Sequence, residues 1–261
     1  MTHTKLALVT GASSGIGFEL AKLFAENGYD LVLAADGNGV RDLPERLAPY
    51  GVVVQPVKAD LRKPKDVERL YEAAVGGGRP LAAAALNAGQ GTGDAFVKTD
   101  LAQDLSVVDL NVRSTVHLAK LVLRDMVNRD EGKVLFTSSV ASMMPGSYQS
   151  VYNASKSFVQ SFSEALHDEL RGTSVTVTAL MPGPTDTNFF NRAGLDDTPI
   201  GKMSKDDPAQ VARQGFDAMM RGDQKVVGGS LSSKVMGTVS RVLPDNVKAI
   251  GSRLISSPHG Q

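Results

Sequence analysis

The stretch beginning Val151-Tyr152-Asn153-Ala154-Ser155-Lys156 has strong helical periodicity, so Tyr152 and Lys156, at i and i+4, project from one face. A phenol with an ordinary pKa near 10 is a poor proton carrier at pH 7, but a fixed ammonium a few ångströms away favours the phenolate. Such a pair can donate a proton to a carbonyl oxygen or remove one from an alcohol. A half-buried tyrosine beside a solvated lysine would have the same spacing, so the pair needs support from elsewhere. Some comes from the run Val134 to Thr137, which ends in Ser138 and Ser139 and places hydroxyls at the end of a predicted strand just before this helix. Serines in that position also act as turn and helix caps.

A second stretch able to do chemistry lies near the N-terminus, where the apolar run Leu6 to Thr10 is followed by Gly11-Ala12-Ser13-Ser14-Gly15-Ile16-Gly17 and then a helical pattern from Phe18. A glycine-rich turn between strand and helix lets the backbone approach a pyrophosphate and aims the free amides of the helix N-terminus at the anion. The same residues satisfy the G-x-S-x-G elbow of a serine α/β-hydrolase with Ser13 as nucleophile. That reading is the weaker one. Only ten residues precede Gly11, where the oxyanion loop should lie, and of the possible bases His117 and His167 fall in predicted helices and His259 in a Pro-His-Gly terminus.

Seven short apolar runs could carry these groups: Leu6 to Thr10, Leu31 to Ala35, Val52 to Val57, Leu81 to Leu86, Val134 to Thr137, Val175 to Leu180 and Val226 to Val227. Helical patterns lie between them. The runs are continuously apolar, as in a parallel sheet covered on both faces. The fold class predicted is α/β: a single-domain Rossmann fold spanning 1–261, a doubly wound seven-stranded parallel sheet with helices on both faces. Gly76-Gly77-Gly78 reads as a helix stop and turn. Residues 186–207 read as a polar substrate loop containing Phe189 and Phe190. Residues 228–261 read as a C-terminal extension of one or two amphipathic helices with Lys234, Arg241, Lys248 and Arg253 on the polar side.

Composition narrows the function. Lys plus Arg and Asp plus Glu are both 28, so no net field attracts nucleic acid or an anionic bilayer. The absence of cysteine excludes disulfides and thiolate chemistry, and the four histidines, His3, His117, His167 and His259, form no metal-ligand pattern. No apolar run is long enough to span a membrane, and the N-terminus passes directly into a strand, so a cytoplasmic protein without stable membrane insertion is expected.

In this order and at these separations the motifs resemble the short-chain dehydrogenase/reductase family, in its single-domain subgroup of about 250 residues. The resemblance runs from Leu6 to Thr187 through the glycine turn, Asp60-Leu61, Asn87-Ala88-Gly89, Asn111, Ser139, Tyr152 with Lys156, and Pro182-Gly183 with Thr187. It implies Tyr152 as acid/base, Lys156 lowering its pKa and binding the nicotinamide ribose, Ser139 bonded to the substrate oxygen with Ser138 as the nearby alternative, and Asn111 holding a relay water. The cofactor set it implies is Gly11, Ser13, Ser14, Gly15, Ile16, Gly17, Asp36, Asp60, Leu61, Asn87, Ala88, Gly89, Tyr152, Lys156, Pro182, Gly183, Thr185 and Thr187. Within that set Asp60 would contact the adenine, the Asn87 to Gly89 backbone would line its ribose, and Thr187 would engage the carboxamide. One departure is Leu86, where the family usually has a second asparagine that braces the strands.

Asp36 ends the second predicted strand, where the adenosine ribose lies. A carboxylate there accepts ribose hydroxyls and repels a 2′-phosphate, which favours NAD, with NADP the alternative. Asp36 could also simply begin the Asp-Gly-Asn-Gly turn. The predicted activity is interconversion of a secondary alcohol and a ketone, on a mainly apolar substrate in a pocket formed by Val140 to Tyr148, Pro184 and the loop, including Met143, Met144, Tyr148, Phe189 and Phe190. The alternative from another class is a nucleotide-sensing regulator without turnover. The resemblance also implies a homodimer or homotetramer, paired through helices at about 101–127 and 150–171.

Overall fold

The computed structural model describes residues 4–230, Ser233 and 245–256. Among the described residues seven strands form one sheet: β1 (Leu6–Thr10), β2 (Asp30–Ala35), β3 (Val54–Lys58), β4 (Leu81–Leu86), β5 (Gly132–Thr137), β6 (Val175–Pro182) and β7 (Lys225–Gly228). Their spatial order is β3-β2-β1-β4-β5-β6-β7, and every neighbouring pair is parallel. Alternate residues of β1 supply opposite layers of the core. Leu6 and Leu8 pack with Phe136, Leu118 and Met126, whereas Ala7 and Val9 pack with Phe24, Leu33 and Phe216. Burial on both faces explains why the strands read as unbroken apolar runs. The exception is β3 at the sheet edge, where Gln55 and Pro56 are exposed and a proline is tolerated.

The strand order reverses between β1 and β4, so the cleft beyond their carboxyl ends is the topological switch point at which ligands bind in such sheets. Around it stand α1 (Gly15–Glu26), α2 (Leu43–Leu47), α3 (Pro64–Val75), α4 (Leu101–Val108), α5 (Ser114–Arg129) and α6 (Ser150–Glu169). Between α4 and α5 the helix widens into a π turn over Asp109–Arg113, which contains Asn111. Turns of this kind are frequent at functional sites.

Two expectations are corrected. The loop predicted over 186–207 contains the short helices Phe189–Arg192 and Pro199–Lys202 and its own apolar cluster of Phe190, Ala193 and Leu195. Its ends are tied together, Asp186 N–H donating to the Asp206 carbonyl at 2.8 Å and Asp206 N–H to that of Pro184 at 2.7 Å. In the extension, Lys234 and Arg241 lie outside the described residues. The helix Asp245–Ser256 exposes Arg253 as expected, but it also exposes Val247, Ile250 and Leu254 while burying Ser252 and Ser256. Its inward side is polar because it meets Gln149, whose amide donates to Ser256 Oγ at 2.9 Å.

Candidate active site

The glycine turn is dictated by backbone conformation and by proximity. Gly11 and Gly15 have φ of +66° and +55°, a region L side chains rarely adopt. At Gly17 a Cβ would collide with the Gly11 carbonyl oxygen and lie 2.5 Å from Asn87 Nδ2. Ser14 precedes α1 in extended conformation and makes no side-chain cap, so the first amides of the helix keep their hydrogen-bonding capacity toward the cleft.

Asn87 ties three strand ends together. Its backbone N–H donates to Thr10 Oγ1 at 2.9 Å, its Nδ2 to the Thr10 carbonyl at 3.2 Å, and its Oδ1 accepts from Thr137 Oγ1 at 3.0 Å. The brace across β1, β4 and β5 therefore does not need an asparagine at Leu86, which is buried in the core.

The end of β5 separates the two serines. Ser138 Oγ donates to the Lys156 carbonyl at 2.8 Å and is committed to holding α6 against the sheet. Ser139 accepts from the Ala141 N–H at 3.1 Å and interacts with the Tyr152 phenol, so it is the serine of the two that stands beside that phenol. Tyr152 and Lys156 are both buried on the same side of α6. Lys156 Nζ donates to the Thr137 carbonyl at 2.8 Å and lies 6.0 Å from the Tyr152 ring centroid.

The expected depression of the phenol pKa is not found. Burial pushes Tyr152 up to about 12, against a smaller lowering by Ser139, and pushes Lys156 down to about 8. Desolvation outweighs the attraction because the ammonium is anchored on Thr137 instead of on the phenol oxygen. Asn111 has partners on both side-chain polar atoms: its Oδ1 accepts from Gln90 N–H at 2.9 Å, and its Nδ2 donates to the Gln90 carbonyl at 2.8 Å and to Ser155 Oγ at 2.9 Å. It thereby fixes the backbone following Gly89, where a Cβ would stand 3.0 Å from Lys156 Nζ.

One cavity of about 1210 Å³ runs along the carboxyl edge of the sheet. Every candidate catalytic and cofactor residue predicted from the sequence lines it except Asn111, and Thr185 and Thr187 line it together with Gly183. Met144, Phe189 and Phe190 also line the cavity, whereas Met143 and Tyr148 do not. Sequence reasoning missed Gln149, Ser252, Ser256 and Arg62, which line the cavity as well. Arg62 could have been noticed as the residue following Asp60-Leu61, but the serines carry no local signal. His117 faces Glu68, and His167 is bonded to the Val177 carbonyl at 2.8 Å, so neither can serve Ser13. Among the described residues no group of His, Asp and Glu could hold a metal ion, and no helix is long and apolar enough to cross a membrane.

A parallel sheet with a glycine-cradled switch point and a serine, tyrosine and lysine beside it defines the class of Rossmann-type oxidoreductases. The chain belongs to the short-chain dehydrogenase family, whose sequence model matches residues 5–198. It is 37% identical, over 85% of its length and 86% of the relative's, to an uncharacterized short-chain type dehydrogenase/reductase of Sinorhizobium fredii. A putative ketoacyl reductase of Streptomyces coelicolor is 33% identical over 70% of this chain and 72% of its own. Among solved structures, a short-chain dehydrogenase from Sphingobium yanoikuyae in complex with NADPH is 30% identical, covering 86% of this chain and 87% of its own with a TM-score of 0.78. One from Burkholderia phymatum in complex with NAD shares the fold at a TM-score of 0.82 over 99% and 98% of the two chains, with 22% identity.

Proposed function

We propose that this protein is an NAD(P)-dependent oxidoreductase interconverting a secondary alcohol and a ketone, with Tyr152 as the acid/base. The observation that carries the reading is that Ser139, Tyr152 and Lys156 line the same cavity as the glycine turn. The residues fit a dinucleotide, since Gly11 and Gly15 at positive φ and the tightly packed Gly17 shape the turn, and the first turn of α1 has amides to offer a pyrophosphate. Gly11 to Gly17 would hold the pyrophosphate, Asp36 the adenosine ribose, Asn87 to Gly89 the neighbouring backbone, and Thr185 with Thr187 the nicotinamide. When bound, the nicotinamide supplies or accepts the hydride.

The chain's own groups manage the proton. With its pKa raised by burial, Tyr152 is neutral at pH 7 and ready to donate to a carbonyl oxygen as that oxygen becomes an alkoxide. Ser139 hydrogen-bonds the same oxygen and stabilises its developing charge. Lys156 sets the local potential and would reach the ribose, while Asn111 positions the Gln90 backbone and would hold the relay water. In the oxidative direction the same groups run in reverse.

The substrate meets Met144, Phe189, Phe190 and Ile200 on one side and Gln149, Ser252 and Ser256 on another. We read it as mainly apolar, carrying a polar group for the serine wall. Asp36 favours NAD. A panel of secondary alcohols with NAD, followed by nicotinamide absorbance, tests the reading. Dinucleotide binding without turnover of any alcohol or ketone would favour the nucleotide-sensing alternative.

We read the assembly as a homodimer or homotetramer. Phe96, Val97, Leu101 and Leu105 are exposed side by side along α4 and the turn before it, and a groove of about 470 Å³ there is lined by Phe96, Val108, Val112 and Val151. Sedimentation as a monomer at micromolar concentration would overturn this.

A further inference from the structure

The adenosine end of the cavity contains a cation that the sequence reading did not use. β2 and β3 are parallel neighbours, so the loops leaving their carboxyl ends emerge side by side and bring Arg62 toward Asp36. Arg62 Nε donates to Asp60 Oδ1 at 2.6 Å, while one terminal nitrogen lies 3.9 Å from Asp36 Oδ2. The other terminal nitrogen reaches Ser106 Oγ at 3.5 Å, and the Arg62 backbone carbonyl is held by Arg113 at 2.7 Å. Of the other cations nearby, Lys58 bonds Asn38, Arg46 bonds the Ser13 carbonyl and Lys63 lies 3.6 Å from Asp60 Oδ2, and none of the three lines the cavity.

We propose that Arg62 and Asp36 together set the choice between NAD and NADP, with Arg62 as a phosphate-binding guanidinium masked by Asp36. The inference rests on the dinucleotide reading above. Asp60 holds the guanidinium in place and leaves a terminal nitrogen facing the site beside Asp36. The Asp36–Arg62 contact is long, and the Asp36 side chain is 61% exposed, so the pairing is weak. Asp36 consequently does two things. It repels a 2′-phosphate directly, and it occupies the guanidinium that would otherwise pair with one, a task for which the planar arginine fork is well suited. Removing the carboxylate should therefore create NADP affinity without any cation being introduced.

The test is a double-mutant cycle read by fluorescence titration of NADH and NADPH against wild type, Asp36→Ala, Arg62→Ala and the double variant, with circular dichroism to verify folding. Asp36→Ala should tighten NADPH binding at least about tenfold, and adding Arg62→Ala should abolish most of that gain. NADH binding should change less than about threefold on Arg62→Ala. A gain that persists in the double variant overturns the proposal, as does Arg62→Ala weakening both dinucleotides equally, which would make Arg62 a brace for the adenosine pocket. If Arg62→Ala does not fold, Arg62→Lys decides: it keeps the charge and loses the fork, and an unchanged ratio of the two affinities in the Asp36→Ala background overturns the proposal. Wild type binding neither dinucleotide would instead refute the cofactor reading itself.

Discussion

The Phe189 ring packs against that of Tyr152, with centroids 5.0 Å apart and planes inclined at 47°. The residue that would carry the proton is thus in contact with the loop that would choose the substrate. Phe189 also fills the space beside Gly91, where a Cβ would lie 2.6 Å from its Cζ, so the ring is held from both sides.

Shortening this ring should change which substrates are accepted. Phe189→Ala removes apolar surface next to the reacting centre, and differences of one or two methylenes in such a pocket change selectivity by roughly ten- to two-hundredfold. We predict that the ratio of kcat/KM for bulky over small ketones rises about tenfold or more. An unchanged ratio across a homologous series would show that Phe189 does not border the substrate.

The glycine cradle makes a second prediction. Gly17→Ala places a methyl against the Gly11 carbonyl and 2.5 Å from Asn87 Nδ2, forcing apart the turn and the brace across three strands. We predict that dinucleotide affinity falls by at least about tenfold and that thermal stability drops by about 1–3 kcal/mol. Gly77→Ala, with nothing within 4 Å, is the matched control and should leave both unchanged. Wild-type affinity in Gly17→Ala would remove the turn from the binding site.

The lowered Lys156 pKa makes a prediction about stability and pH. Between about 8 and the ordinary value of 10.5 the unfolded chain binds the Lys156 proton and the folded chain does not. Stability contributed by this position therefore rises with pH across that window, and below about 8 the buried ammonium imposes its full penalty. Lys156→Met removes the penalty. The melting temperature of the variant relative to wild type should be higher at pH 7 than at pH 10.5, with the difference shrinking across the window. A difference that does not change with pH would mean that Lys156 is not desolvated.

What could be read in the sequence followed from local pattern. Unbroken apolar runs identified the strands, because burial on both faces leaves no alternation to misread, and even β7 was visible from Val226 and Val227 before its pairing with β6 extended it to Lys225–Gly228. The glycine turn and the Tyr152 and Lys156 pair were visible because their geometry is set within a few residues. Contacts between distant segments were not. Gln149 and Ser256 are 107 residues apart, and Arg62 meets Asp36 only because two strands happen to be neighbours. The direction of the Tyr152 shift also depended on three-dimensional packing, since spacing shows an ammonium nearby but not that it is anchored on Thr137 or how far burial raises the phenol.

The acid/base assignment gives the last prediction. Tyr152→Phe removes one oxygen and keeps the ring that packs against Phe189, so the fold and the glycine turn should be preserved. Chemistry should not be. Hydride arriving at a carbonyl carbon leaves an alkoxide that needs a proton, and general acid catalysis alone contributes roughly 10² to 10⁴ in rate. Losing the hydrogen bond that polarises the carbonyl adds to the deficit. We therefore predict that Tyr152→Phe binds NADH nearly as well as wild type and turns over at least about a thousandfold more slowly. Ser138→Ala and Ser139→Ala divide the neighbouring hydroxyls by role. Ser139→Ala should lower kcat because its hydroxyl meets the phenol, whereas Ser138→Ala should mainly lower stability because its hydroxyl holds the Lys156 carbonyl. If Tyr152→Phe keeps more than about a tenth of wild-type kcat with chemistry rate-limiting, the proton comes from another group and the Tyr152–Lys156 spacing is only packing.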